Sequence, residues 1–428
     1  MIHHLQLTNV GPSKSLKIDF GARLNLITGD NGLGKSFLLD VAWWAMTRKW
    51  PEQINPGISA GDMARPSFPG MAAINFSIEG KSKKKISYES TYDRKAQSWV
   101  GKSGRPLNPG LILYAMSDGS FAIWDPARNY WKTSNKIDVQ DRPPAYVFDT
   151  KEIWDGLPDA EGKGWYSNGI IRDWAGWQKE SGEAWKQIQD VLLAVSPRNE
   201  QLKPGKLTRI SLDDVRDMPT LSMPYGIDVP LLHVSAGIRR IIALTYCLVW
   251  AWQEHTKAAE LLDERPAKNV VFLIDEIEAH LHPQWQRTIV RSLIQVMNKL
   301  TAKASIQLIL TTHSPLVMGS CEDFFDDKKD RWQDLDFVDG SVQLTTRNYE
   351  KQGNACNWLQ SPAFDLTSTR SLDTERLIKE AEKLLQTPLI PRAKIEKMSQ
   401  DLADKLNPKD DFLFRWRYLC SKKNFVND

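Results

Sequence analysis

The stretch GDNGLGKS, residues 29–36, constrains this chain more than any other feature. It fits the pattern G-x-x-x-x-G-K-[ST], follows the apolar run RLNLIT and precedes FLLDVAWWAM, where Phe37, Val41 and Trp44 recur at helical spacing. Strand, glycine-rich loop and helix in that order form a phosphate cradle. Gly29, Gly32 and Gly34 let backbone N–H groups close around an anion at a helix N-terminus. Asn31 lies within the same cradle. Lys35 is placed to reach the β- and γ-phosphates of a nucleotide, and the Ser36 hydroxyl to ligate Mg²⁺.

The remainder of the chain supplies a sheet for that loop to sit on. IHHLQLTNV and SLKIDF read as short strands before RLNLIT, with Gly11-Pro12 and Gly21 turning the chain between them. Residues 50–70 read as a Pro/Gly/Ser-rich loop, and 71–150 as strand-like material with an Asp118-Gly119 hairpin. Lys81, Lys83, Lys84 and Lys85 read as a solvated hairpin tip. Residues 168–195 predict one long amphipathic helix ended by Pro197, its stripe carrying Trp174, Trp177, Trp185 and Leu192. NVVFLIDE and SIQLILTTH are continuous apolar runs of the kind found in buried parallel strands. Between them Pro283 opens a helix over QWQRTIVRSLIQVMNKL. The alternation predicts an α/β fold, a mixed or parallel sheet covered by helices. A hairpin turning at Asp339-Gly340 and further helices follow.

Four more places bear on chemistry. In VVFLIDE, Asp275 at the strand end suits Mg²⁺ ligation, and Glu276 after it suits polarising a water for attack on the γ-phosphate. An Asp-Glu pair there could otherwise cap a helix. His313, after SIQLILTT, could contact the γ-phosphate or orient Glu276. In HVSAGIRR, Ser235 and Gly237 open a long helix and read as a second anion site, although a helix N-cap with no ligand would look identical. One chain needs only one phosphate loop for one nucleotide, so this second site suggests the nucleotide of another subunit. Glu278, His280 and His282 fall close enough for a transition-metal site, although hydrogen bonds across an interface are the favoured reading.

GDNGLGKS, VSAG, VVFLIDEIEAHLHP and LILTTHSP stand in an order that resembles the ATP-binding-cassette superfamily. More narrowly, the chain is similar to the bacterial SMC/RecF-like and OLD-like ATPases found in antiphage defence operons. The resemblance covers roughly 1–50 and 225–320. It implies a Walker A loop, a signature motif, a Walker B strand with D-loop, and a switch histidine. It further implies an ATP sandwich dimer: Lys35 and Ser36 of one copy hold ATP and Mg²⁺, while Ser235 and Gly237 of the other cover the γ-phosphate. Asp275 is then the metal ligand, and Glu276, His313 and Lys35 the catalytic groups. The signature reads Ser-Ala-Gly where the family has Ser-Gly-Gly, and a glutamine loop is not placed. The tail lacks the Glu and strand-borne Asp-x-Asp of a Toprim nuclease.

The organisation expected on this basis is a first core half at 1–50, a β-rich insertion at 51–160 and a helical insertion at 161–230. A second core half follows at 231–320, then a C-terminal α/β tail at 321–428 that could bind a partner. The net charge of +3 stands against 56 basic and 53 acidic residues, so nucleic-acid binding is neither demanded nor excluded. Four scattered cysteines and the want of a long apolar run point to a reduced, cytoplasmic protein without a membrane segment. The expected function is a Mg²⁺-dependent ATPase that self-associates as a homodimer or higher oligomer. It would act as a sensor or regulator beside a separate nuclease or toxin. A RecF-like DNA clamp and an ATP-bound scaffold with slow turnover are the alternatives.

Overall fold

A computed structural model describes residues 1–80, 84–101, 107–130, 142–301, 304–387 and 391–422. Its chain divides into two compact units, Met1–Trp358 and Leu359–Asp428.

Beside a two-stranded and a three-stranded sheet, two large sheets dominate the first unit. One is antiparallel: β1 (Ile2–Val10), β2 (Ser13–Asp19), β4 (Ala73–Glu79), β5 (Lys85–Asp93) and β6 (Ser98–Gly101), in the order β2-β1-β4-β5-β6. Its apolar residues alternate with polar ones, as a sheet with one covered face requires; Leu5, Leu7, Ile74, Phe76 and Ile78 are all buried. The other sheet has eight strands. To β3 (Leu24–Gly29), β7 (Leu111–Ala115), β8 (Phe121–Trp124) and β9 (Tyr146–Phe148) it adds β10 (Asn269–Ile274), β11 (Ser305–Thr311), β12 (Arg331–Val338) and β13 (Ser341–Arg347). The order is β13-β12-β3-β11-β10-β7-β8-β9. The five central strands, β12 to β7, run parallel, and an antiparallel hairpin closes each side. Strands β10 and β7 are buried along their whole length, which accounts for their unbroken apolar sequence.

Helix α1 (Lys35–Thr47) springs from the glycine loop and buries Trp43 and Trp44 in the core shared by the two sheets. Trp44 stacks on Trp50 with ring centroids 5.3 Å apart. Packing thus absorbs much of the tryptophan content. The other long helices of this unit are α2 (Gly169–Glu180), α3 (Glu183–Val195), α4 (Ala236–Leu261) and α5 (Ile289–Leu300).

The structure departs from the sequence reading in four places. The single helix over 168–195 is two helices. Ser181 takes a left-handed backbone (φ 53°), ends α2 through its N–H to the Trp177 carbonyl, and Gly182 starts α3. The helix after Pro283 is likewise split, into a turn at Pro283–Gln286 and α5. The Thr288 hydroxyl bonds back to the Trp285 carbonyl at 3.3 Å, the local competition that weakens a helix interior. The stretch 51–160 is not a separate insertion, because β4–β6 extend the N-terminal sheet and β7–β9 complete the main one. Likewise the segment from 321 is not one tail: β12 pairs with β3 from Asn25 to Gly29, and the division falls at Trp358.

Of the lysine run, Lys84 and Lys85 are exposed where β5 begins, while Lys81 and Lys83 lie outside the described residues. The second unit is helical: α6 (Leu372–Gln386), α7 (Arg392–Lys405) and α8 (Asp411–Ser421) bury Ala381, Ile395, Leu402, Leu413 and Trp416 together. No helix among the described residues is long and apolar enough to cross a membrane.

Candidate active site

Parallel strands put their C-terminal ends on one side of a sheet, where ligands of open α/β folds bind. Here β3, β11 and β10 are neighbours. The register sets Ile27 beside Thr311 and Leu310 beside Ile274. The glycine loop, the His313 turn and the Asp275-Glu276 turn therefore emerge side by side.

The loop is shaped by backbone conformations that favour glycine. Gly29, Gly32 and Gly34 have φ of 133°, 79° and 96°. Gly34 caps α1 and no side chain satisfies the helix's first N–H groups, which leaves them for an anion. A Cβ at Gly32 would meet nothing within 4 Å, so the loop leaves open space there. The Lys35 ammonium, nearly buried, donates to the Gly29 carbonyl at 2.7 Å and the Asp30 carbonyl at 2.8 Å. Burial lowers its pKa, while Asp275, Glu276, Asp30 and Glu278 hold the proton on. Asn31 and Ser36 are exposed.

The acidic side is laced by hydroxyls. Asp275 is 1% exposed, and its Oδ1 accepts the Thr311 hydroxyl at 2.7 Å. The same hydroxyl accepts the Glu276 N–H at 2.8 Å, so one threonine fixes both acids. Glu276 has φ 48°. A left-handed backbone costs a non-glycine residue about 1–2 kcal/mol, and such strain concentrates at functional sites. Glu278 turns towards the next strand end, where its carboxylate accepts the Thr312 hydroxyl at 2.7 Å and the His313 N–H. Burial raises its pKa against those two bonds. Burial lowers the pKa of the His313 imidazole, and the Lys35 charge lowers it further.

Ser235 caps α4, its oxygen accepting the Ile238 N–H at 3.4 Å, and stays exposed with Ala236. At Gly237 a Cβ would lie 2.4 Å from the His280 carbonyl oxygen, so this glycine is demanded by packing within the chain. Glu278, His280 and His282 do not converge. His280 is exposed with φ 62°, and His282 caps the turn at Pro283. Among the described residues no three His, Cys, Asp or Glu side chains are grouped to hold a metal.

Two participants escaped sequence reasoning. Arg240 is buried and donates to the carbonyls of Met116 (2.8 Å) and Asp275 (3.1 Å), tying α4 to the acid-bearing strand end. The threonines before His313 were visible only as part of an apolar strand. A hydroxyl pair at the end of a buried strand was the available signal.

The donor set fits Mg-ATP. A helix N-terminus with no side-chain cap, open space at Gly32 and a lysine that donates to carbonyls of its own loop suit phosphates, and the oxygens of Ser36 and Asp275 are hard ligands suited to Mg²⁺.

A glycine loop between strand and helix, with paired acids at the end of a nearby parallel strand, defines a P-loop ATPase. Residues 24–319 match the family described as "AAA domain, putative AbiEii toxin, Type IV TA system", and the chain belongs to that family. It is similar to the Septu protein PtuA of Bacillus thuringiensis, 21% identical over 327 residues, 74% of this chain and 72% of the relative. The Retron Vc95 probable ATPase of Vibrio cholerae is 28% identical over 137 residues, 31% of this chain and 23% of its own. The Retron Ec83 probable ATPase of Escherichia coli is 24% identical over 246 residues, 56% of this chain and 40% of its own. The chain thus spans less than half the length of these two retron relatives. Among solved structures, the SMC head domain from Thermotoga maritima superposes with TM-score 0.38 at 14% identity, covering 81% of this chain and 99% of that one.

Proposed function

We propose that this ATPase closes two copies of itself around Mg-ATP and uses that state to regulate a separate nuclease or toxin in a cytoplasmic antiphage defence system. The family's toxin–antitoxin description and the Septu and retron names of its relatives support the setting. The observation that carries the hydrolytic part is the Thr311 hydroxyl, which holds buried Asp275 and backbone-strained Glu276 in one geometry beside the glycine loop.

In this reading the loop N–H groups and Lys35 bind the phosphates, and a phosphate oxygen replaces the two carbonyls that Lys35 now contacts. Ser36 and Asp275 would hold Mg²⁺, which would supply charge neutralisation at the phosphates. Glu276 accepts a proton from the attacking water. His313, its pKa lowered by burial and by the Lys35 charge, orients that water or the γ-phosphate through a hydrogen bond. Positioning and charge neutralisation supply most of the acceleration, as is general for phosphoryl transfer. Ser235 and the N-terminus of α4 supply the second copy's anion contact; their exposure supports an outward-facing role.

Light scattering on the Glu276→Gln protein tests the dimer. Mg-ATP is expected to double the mass, and a mass unchanged by Mg-ATP refutes it. Co-purification of the product of an adjacent gene, lost in Lys35→Ala, tests the effector.

A further inference from the structure

Glu278 takes no part in the chemistry assigned above, yet it is the carboxylate most tightly engaged with the neighbouring strand end. Both of its oxygens are used: Oε2 by the Thr312 hydroxyl at 2.7 Å, Oε1 by the main-chain N–H of His313. Thr312 in turn accepts the Ser314 N–H at 3.0 Å, and the Ile277 N–H reaches the Thr311 carbonyl at 3.2 Å. Together with the Thr311 bonds to Asp275 and Glu276, these contacts sew the turn at 275–278 to the turn at 311–314. Each oxygen accepts one bond here; an amide at this position keeps one acceptor oxygen, and its NH₂ pairs with Thr312 only if that hydroxyl turns round to accept, which exchanges a bond to a carboxylate for a neutral one. Charge-assisted bonds of this kind are the strong ones.

We infer that Glu278 is a positioning residue that clamps the His313 turn to the Glu276 turn, so that the base and the histidine are held, and shift, as one unit. It does not touch the nucleotide; it acts through the backbone of His313. This inference rests on the reading of Glu276 and His313 as the hydrolytic pair. Arg240 adds a further tie to the same turn by donating to the Asp275 carbonyl at 3.1 Å.

The test is a double-mutant cycle on the full chain with Glu278→Gln, His313→Ala and both together, read as kcat for ATP hydrolysis and as ATP affinity. Glu278→Gln is expected to lower kcat about tenfold, as the loss of a bond to a charged group implies, with ATP affinity changed less than about twofold. In the His313→Ala background the same substitution is expected to cost almost nothing, because residues that act as a unit are not additive. Where His313→Ala itself slows hydrolysis, additive losses overturn the clamp, as does an affinity loss equal to the kcat loss. Amide hydrogen exchange separates this failure from failure of the hydrolytic reading. Glu278→Gln is expected to raise exchange in a peptide covering 311–316 while leaving α5 protected. If that occurs but His313→Ala hydrolyses ATP at the wild-type rate, the clamp stands and the histidine's catalytic role falls. If exchange at 311–316 is unchanged, the clamp itself falls.

Discussion

Two glycines of the site look interchangeable in sequence and differ in what surrounds them. Gly32 in the phosphate loop has φ 79° and no atom within 4 Å of where a Cβ would sit, whereas Gly237 in the signature turn would drive a Cβ to 2.4 Å from the His280 carbonyl oxygen. The first glycine stands in open space. The second brings α4 against the turn that follows the paired acids. In the proposed reading the phosphate loop is the receptor, whereas the turn at Gly237 is packed within the chain, with Ser235 and Ala236 beside it exposed.

That contrast breaks first, and most strongly, at Lys35. Lys35→Ala removes the one cation of the open loop and is expected to weaken ATP binding at least about a hundredfold, the scale of losing a charge-assisted contact in a phosphate site. Calorimetric titration with Mg-ATP measures it, and retained affinity removes the receptor role. Next, Gly237→Ala is expected to lower folding stability by about 1–3 kcal/mol, the usual cost of overpacking, with a matching drop in the thermal midpoint. Gly32→Ala costs only the left-handed backbone term of about 1–2 kcal/mol, without a clash, and shows its main effect in nucleotide affinity instead. Equal stability losses for the two would erase the distinction.

Ser235→Arg is expected to abolish ATP-dependent dimerisation while sparing nucleotide binding by the monomer. Because Ser235 also caps α4, Ser235→Ala serves as the control, costing about 1 kcal/mol of stability. An intact dimer in the arginine variant would show that the outward face contacts nothing.

The smallest effect is one of pH. Asp40, on α1 and bonded to the Tyr114 hydroxyl at 2.8 Å, is pushed from 3.8 to about 7 by burial. A carboxyl with its pKa raised on folding stabilises the fold while protonated. That contribution is complete below about pH 3.8 and lost as pH rises through about 7. Thermal midpoints should fall across that window. Asp40→Asn, which keeps an acceptor for Tyr114, should shallow the fall. Part of it would persist from Asp334, pushed to about 6.

Much of the site was legible because local pattern carried it. An apolar run followed by glycines and Lys-Ser names a strand, a loop and a helix, and NVVFLIDE and SIQLILTTH are short enough to be strands and apolar enough to be buried. What the sequence did not show was set by distance along the chain. Thr311 reaches Asp275 across 36 positions and Arg240 reaches Met116 across 124, and no periodicity encodes either. The pairing of β12 with β3 is longer still and moved the C-terminal hairpin into the core sheet. The break at Ser181-Gly182 was visible as turn chemistry but was masked by a tryptophan stripe that runs through it. Trp174 and Trp185 meet edge to face at 5.8 Å across the break, so the stripe is real although the helix is not continuous.

The central claim is that Glu276 acts on water at a site that Lys35 and the glycine loop assemble. Single-turnover hydrolysis by the Glu276→Gln protein, measured beside its ATP affinity, tests this most directly. The account predicts a loss of about 10²–10⁴-fold in rate, the range for removing a general base, with ATP still bound at near wild-type affinity. Hydrolysis at the wild-type rate, or a rate loss matched by an equal loss of binding, would contradict it.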